Sequence, residues 1–247
     1  MSFPNVLYGE HGFEKSVTTS KKNRIGTKLV LPDGREFNYC LAGEAITAGL
    51  VTMSATEPGA DHDTDLAVAT AAAVGAQTLT LTNGGTTAIT ANQFDDGYVY
   101  VNDATGEGQT FKINSHSTAA TGAALTINLY DNDSVRTALT TSSQCGIQKA
   151  LGSDVEIFDV NDIDGIPLGV PVCDVASGSY FWNQTKGPAA VLTNGTVVIG
   201  KNVMTGSTTD GSVDVMADDS SAEFLIGGVI AVAATTEYSF VDLNIRG

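Results

Sequence analysis

The sequence predicts a mainly β protein: a β-barrel or sandwich body, an inserted β-meander lobe and an extended N-terminal arm. Three observations carry this. Charged residues make up only 16% of the 247 residues, so the polar surface is built largely of Thr, Ser, Asn and Gly, which suit pleated strands and tight turns better than helices. Apolar and polar residues alternate with a period of two over Gln77 to Thr82, the mark of a strand buried on one face. Turn sequences punctuate the apolar runs at Pro32-Asp33-Gly34, Asn83-Gly84-Gly85 and Asn194-Gly195, where the backbone needs residues that accept positive φ or pre-set it.

Residues 1–26 scatter Phe3, Leu7, Tyr8 and Phe13 among Gly and polar residues without a sustained period, as expected for an arm laid on another surface. From Thr27 the pattern sharpens: Thr27 to Leu31, the Pro-Asp-Gly turn, then Arg35 to Leu41 read as strand, turn, strand. Ala42 to Val51, with small residues and two glycines, reads as a corner. Asp65 to Val74 is Ala-rich and ambiguous between helix and strand. Strands follow at Gln77 to Thr82, Tyr98 to Val101, Gln109 to Asn114 and Ala124 to Tyr130, and this pattern places a second lobe at residues 75–150, inserted into a body made of residues 27–74 and 151–247. The body resumes with strands beginning at Val155, Gly169, Tyr180, Val197, Ser212, Glu223 and Tyr238.

The stretch Gly178 to Met204 organises the body. Tyr180, Phe181 and Trp182 include the one Trp of the chain, and large aromatics are the most costly side chains to leave in water. They are therefore expected in the core or in a subunit contact. Gly187-Pro188 is expected to break the chain, and Asn194-Gly195 to turn a hairpin between Ala190–Leu192 and Thr196–Ile199.

The net charge is −16, which argues against nucleic acid, because phosphate binding needs clustered Lys and Arg. The charge is uneven. Lys15, Lys21, Lys22, Arg24 and Lys28 stand against Glu10 and Glu14 in residues 1–28, a net of +3 that leaves −19 for the remainder. A basic arm on an acidic body suits docking to a complementary acidic surface. Cys40, Cys145 and Cys173 are odd in number and far apart, so the reading is of small buried hydrophobes in a chain folded in a reducing cytoplasm. No membrane span is expected.

No constellation of catalytic residues stands out. Gly195 to Gly200 followed by Lys201 fits the start of a phosphate loop, but Asn202 stands where the magnesium-binding hydroxyl belongs and the intervening residues are strand-like. Acidic clusters at Asp61-His62-Asp63-Thr64-Asp65, Asp95-Asp96, Asp131-Asn132-Asp133, Asp159 to Asp164 and Asp218-Asp219 read as solvated turns; Asp162-Ile163-Asp164-Gly165 keeps the middle of a calcium loop but has Pro171 where the bidentate Glu belongs. The three histidines are scattered and there is no Cys-x-x-Cys pair, so neither zinc nor another cofactor is expected. With aromatics at 7%, a sugar-stacking cleft for glycoside hydrolysis is not expected either. The expectation is a protein that is not an enzyme.

Gly12-Phe13-Glu14-Lys15, Pro32-Asp33-Gly34-Arg35-Glu36-Phe37, the corner Ala42-Gly43 with Ala48-Gly49, Tyr180-Phe181-Trp182 with Gly187, and the Gly195 to Gly200 segment together resemble head decoration (cement) proteins of tailed bacteriophages, of marine and cyanobacterial phages in particular. The resemblance implies a β-rich, often trimeric protein on the outer surface of the virion capsid, bridging neighbouring subunits of the major capsid protein. On that reading Phe3, Tyr8, Phe13, Lys15, Lys21, Lys22 and Arg24 contact the capsid. The alternative is a head or tail fibre, or an adhesin, whose 75–150 lobe binds a host receptor.

Overall fold

The computed structural model describes residues 6–55, 62, 64–216 and 224–245. Phe3, Asp61, Asp63, Asp218 and Asp219 therefore lie outside the described residues. Among those described there is no α-helix, only one 3₁₀ turn at Phe13–Lys15, so the mainly β expectation holds. Among the described residues no helix is long and apolar enough to cross a membrane, which says nothing of β-barrel membrane proteins.

The strands in chain order are β1 (Val6–Tyr8), β2 (Lys28–Val30), β3 (Glu36–Leu41), β4 (Thr52–Met53), β5 (Leu66–Thr70), β6 (Thr78–Thr82), β7 (Tyr98–Asp103), β8 (Thr110–His116), β9 (Ala124–Leu129), β10 (Gln144–Gln148), β11 (Glu156–Ile157), β12 (Pro167–Pro171), β13 (Tyr180–Leu192), β14 (Asn202–Thr205), β15 (Val213–Val215), β16 (Leu225–Ala231) and β17 (Tyr238–Asn244). They divide into two compact units, Met1–Thr56 with Leu151–Gly247, and Glu57–Ala150.

The Glu57–Ala150 unit is a closed barrel in the order β10-β5-β6-β9-β8-β7. The expected meander is present only in β7-β8-β9; β9 turns back to pair with β6, and β10 closes the ring by pairing with both β5 and β7. Closure leaves no open sheet edge. The boundary also differs from the expected residue 75. Leu66 and Val68 point into the barrel while Ala67 and Ala69 point out, so the Ala-rich segment that reads ambiguously in sequence is a barrel strand. Tertiary pairing overrides the helix propensity of Ala. The interior is filled by Leu79, Leu81, Val99, Phe111, Ile113, Leu125, Ile127 and Ile147, all buried.

The other unit is a sandwich-like body. Its main path runs β1-β2-β3-β13-β17-β16-β14-β15, with β4, β11 and β12 branching from β13. Met53, Phe158 and Val170 pack against Val191, Val203, Ile226, Val241 and Leu243 in one core, and Phe181 joins Cys40, Ile46, Val155 and Leu168 in another.

Three sequence expectations are corrected here. First, Gly187-Pro188 does not break the chain. β13 runs through it for 13 residues, because Gly187 adopts φ +86° and the Gln184 amide donates to the carbonyls of Lys186, Gly187 and Pro188 at 3.0–3.2 Å. The result is a bulge that shifts register between Gln184 and Lys186 and lets the strand leave β3 and continue along β17. Second, Asn194-Gly195 makes no hairpin. The Asn194 N–H donates to Val213 at 2.9 Å, residues 197–200 are not strand, and Val198 and Ile199 are exposed. Third, residues 6–26 are extended but do not stand away as an arm: β1 pairs in parallel with β2, and Thr18 and Tyr180 exchange backbone hydrogen bonds at 2.7 and 3.0 Å. The segment is an edge of its own body.

Candidate interaction surface

The basic N-terminal edge is held by a few specific bonds. At the 3₁₀ turn, Glu14 is only 4% exposed; its carboxylate accepts from the Gly12 N–H at 2.6 Å and from Arg35 Nη2 at 3.3 Å. Arg35 also donates from Nε to Asp33 at 2.7 Å and lies over the Phe37 ring. Desolvation pushes the Asp33 carboxyl up, and the hydrogen bonds and charge of Arg35 outweigh it, so the group sits below its ordinary value. Further along, the Lys22 N–H donates to the Tyr39 hydroxyl at 3.0 Å, and Gly26 and Tyr39 are joined by a 2.9 Å backbone bond. Lys28 reaches Glu36 at 2.6 Å, and this bond holds the Glu36 carboxyl below its usual range.

These anchors leave one set of side chains outward. Tyr8 is 84% exposed, Phe13 and Val17 are also exposed, and Lys15, Lys21, Lys22 and Arg24 are exposed beside them in sequence. Of the residues expected to contact a capsid, the six within the described structure therefore lie on one exposed segment of chain. The aromatic trio is split. Phe181 and Trp182 are buried within this unit, while Tyr180 is half-buried and stacked on Tyr39 with 5.7 Å between centroids.

Comparison of the chain with protein-family models, with curated proteins and with solved structures finds no match. The chemistry of its own surfaces is what a functional reading rests on.

A second surface was not legible in the sequence. The outward side of β13, β17 and β16 carries Ala190, Leu192, Tyr238, Phe240, Ile230 and Ala231; Phe240 lies between Ala190 on one neighbour and Ala231 on the other, and Tyr238 is opposite Leu192. Tyr238, Phe240 and Ile230 are exposed, whereas Ser239 of the same strand is buried. In sequence the run from Tyr238 looks like an ordinary core strand, because the aromatics suggest the inward face. The signal that could have revealed it is parity: Val241 and Leu243 must point in, so Tyr238 and Phe240 must point out.

Two hollows open beside this side of the sheet. One is apolar, about 410 Å³, and bounded by Ala48, Gly49, Pro171, Ala189, Ala190 and Tyr238. The other, about 560 Å³, is polar and takes in Asp33, Lys186, Asp242 and Asn244. Its Asp33 carboxyl is lowered by Arg35, opposite to what a general acid requires. Among the described residues no three His, Cys, Asp or Glu side chains converge as a metal site. Asp159 accepts from the N–H groups of Asn161 and Asp162, Asp133 from that of Lys112, and Asp96 from the Tyr130 hydroxyl. These acids serve turns and strand ends. Gly200 and Lys201 form part of a turn that opens no helix, so the phosphate-loop fragment lacks its required setting.

Proposed function

We propose that the chain is a non-enzymatic decoration (cement) protein of a tailed-phage head, bound to the outer surface of the capsid and bridging major capsid subunits. The observation that carries this reading is the rigid basic edge. Lys15, Lys21, Lys22 and Arg24 stand with Tyr8 and Phe13 on a segment tied down by Glu14, Thr18 and Lys22, in a protein that is otherwise strongly acidic. Exposed apolar groups flanked by cations on a tied-down backbone suit an acidic protein surface. Fixing them in advance also removes most of the ordering cost that a loose arm would incur on binding.

The role needs no catalytic group. A clamp that binds only the assembled lattice stabilises it by mass action, and binding at several points strengthens the effect. The resemblance in Gly12–Lys15, Pro32–Phe37 and Tyr180–Trp182 supports the same reading. Mixing purified chain with undecorated heads tests it. The wild type is expected to co-sediment with the heads, and a variant with Lys15, Lys21, Lys22 and Arg24 changed to Glu is expected to stay in the supernatant; equal binding by both defeats the basic-edge mechanism.

A fibre or adhesin reading draws on the Glu57–Ala150 barrel, a compact unit with a core of its own. Immunolabelled virions separate the two readings. Label over the whole head supports the decoration protein, and label confined to a vertex or the tail supports the fibre.

A further inference from the structure

The outward side of β13, β17 and β16 bears no charge over residues 189–192, 229–232 and 238–241; its nearest outward charge on β17 is Asp242, opposite Pro188 and Gly228 at the rim of the patch. In a chain of net charge −16, two copies repel wherever acidic surfaces meet. A charge-free patch is where they can approach without that penalty. Depletion of charge with exposed aromatics, here Tyr238 at 45% and Phe240 at 43%, is also the composition of an interface centre.

The shape of the patch narrows the partner. Phe240 projects from it, and the apolar hollow of about 410 Å³ lies beside it, with Ala190 both the cross-strand neighbour of Phe240 and a wall of the hollow. Gly49 shapes one wall of the hollow. It has φ +79°, and a β-carbon there would run into the Tyr238 ring at 2.6 Å, so only glycine lets that ring pack against this corner and line the hollow. Knob and hole thus occur side by side on one surface, which is what a two-fold, self-complementary contact requires.

We infer that this patch pairs two copies of the chain about a two-fold axis, with Phe240 of each copy seated in the hollow beside Gly49 of the other. The three-fold assembly implied by the resemblance uses different patches on the two sides of each contact; here one patch supplies both. The inference does not depend on the phage-head reading, and salt separates them. Screening weakens the contact of a basic edge with an acidic shell, whereas it relieves repulsion between two acidic copies and so favours their pairing.

Sedimentation velocity on the full chain, over a range of concentrations at low and high salt, tests the pairing. The wild type is expected to form a dimer, more completely at high salt. Phe240→Ser and Ala190→Glu are each expected to weaken dimerisation roughly tenfold or more, the scale of a lost interface anchor, while keeping the far-ultraviolet spectrum and Trp182 emission of the wild type. Ala190 is exposed, so the second variant keeps the test valid if the first unfolds. A monomer at every concentration, a trimer, or a dimer indifferent to both substitutions overturns the inference. Loss of binding to undecorated heads in both variants, with the wild type monomeric, overturns it too and assigns the patch to the capsid.

Discussion

The ring of Phe13 rests against that of Trp182, with 5.9 Å between centroids and a tilt of 45°, and Trp182 in turn meets Tyr39 at 4.9 Å. One contact thereby ties the N-terminal segment to the start of β13. It also turns the one Trp of the chain into a reporter of that segment.

Phe13→Ala is expected to cost about 1 kcal/mol, the usual worth of an aromatic pair, and to redshift Trp182 emission as water reaches the ring. Urea unfolding followed by Trp fluorescence measures both. An unchanged midpoint with unchanged emission would mean that the segment does not pack on β13.

Gly227→Ala is expected to be more damaging. A β-carbon at Gly227 would collide with the Asp242 carbonyl of the paired strand β17, and backbone cannot swing aside as a flexible side chain can. A loss of about 2–3 kcal/mol is expected from such overpacking, seen as a lower thermal midpoint. Gly122→Ala serves as the comparison: it stands in open space but at φ +77°, so its cost reports backbone strain without a clash.

The barrel has its own acid sensitivity. His116 Nε2 accepts the Phe94 N–H at 2.9 Å, so the ring proton sits on Nδ1, which donates to the Ser117 carbonyl at 2.8 Å. Burial pushes the imidazole below its ordinary value of 6.5, against the smaller pull of the Ser117 carbonyl and of Asp95. The folded form therefore binds fewer protons than the unfolded one below that value, so the stability is complete above 6.5 and declines as the pH falls. Amide protection factors in the Glu57–Ala150 barrel, taken relative to the intrinsic exchange rate at each pH, are expected to fall between about pH 6.5 and 5, and His116→Gln, which keeps an acceptor, is expected to flatten that dependence. Identical pH profiles for the two proteins would remove His116 as the cause.

Thiol reactivity should be graded. Burial raises the Cys145 thiol to about 12 and also raises Cys173, but Cys173 is only partly buried whereas Cys40 and Cys145 are enclosed. Since the thiolate is the nucleophile, a disulfide reagent is expected to label Cys173 slowly in the native protein and all three thiols after denaturation. Rapid native labelling of Cys145 would contradict the barrel interior.

Much of this architecture is legible in the sequence alone. The period-two run Thr78–Thr82, the Pro32-Asp33-Gly34 turn between β2 and β3, and the burial of Phe181 and Trp182 are properties of a few adjacent residues, and alternation alone decides which side chains must avoid water. The basic segment was legible too, because charge is read directly from composition.

What tertiary structure alone decided was pairing. Nothing near Leu66 says that it will meet Cys145 across the barrel wall, nothing near Gly187 says that Gln184 will hold a bulge there, and nothing near Val6 says that it will pair with Lys28. A strand's local pattern sets its two faces, but its neighbours are chosen by which distant segment can satisfy its backbone N–H and C=O groups and close the core. Parity sets Phe240 opposite Val241 and Leu243, but only the place of β17 between β13 and β16 put Ala190 and Ala231 on either side of it and so made an apolar patch.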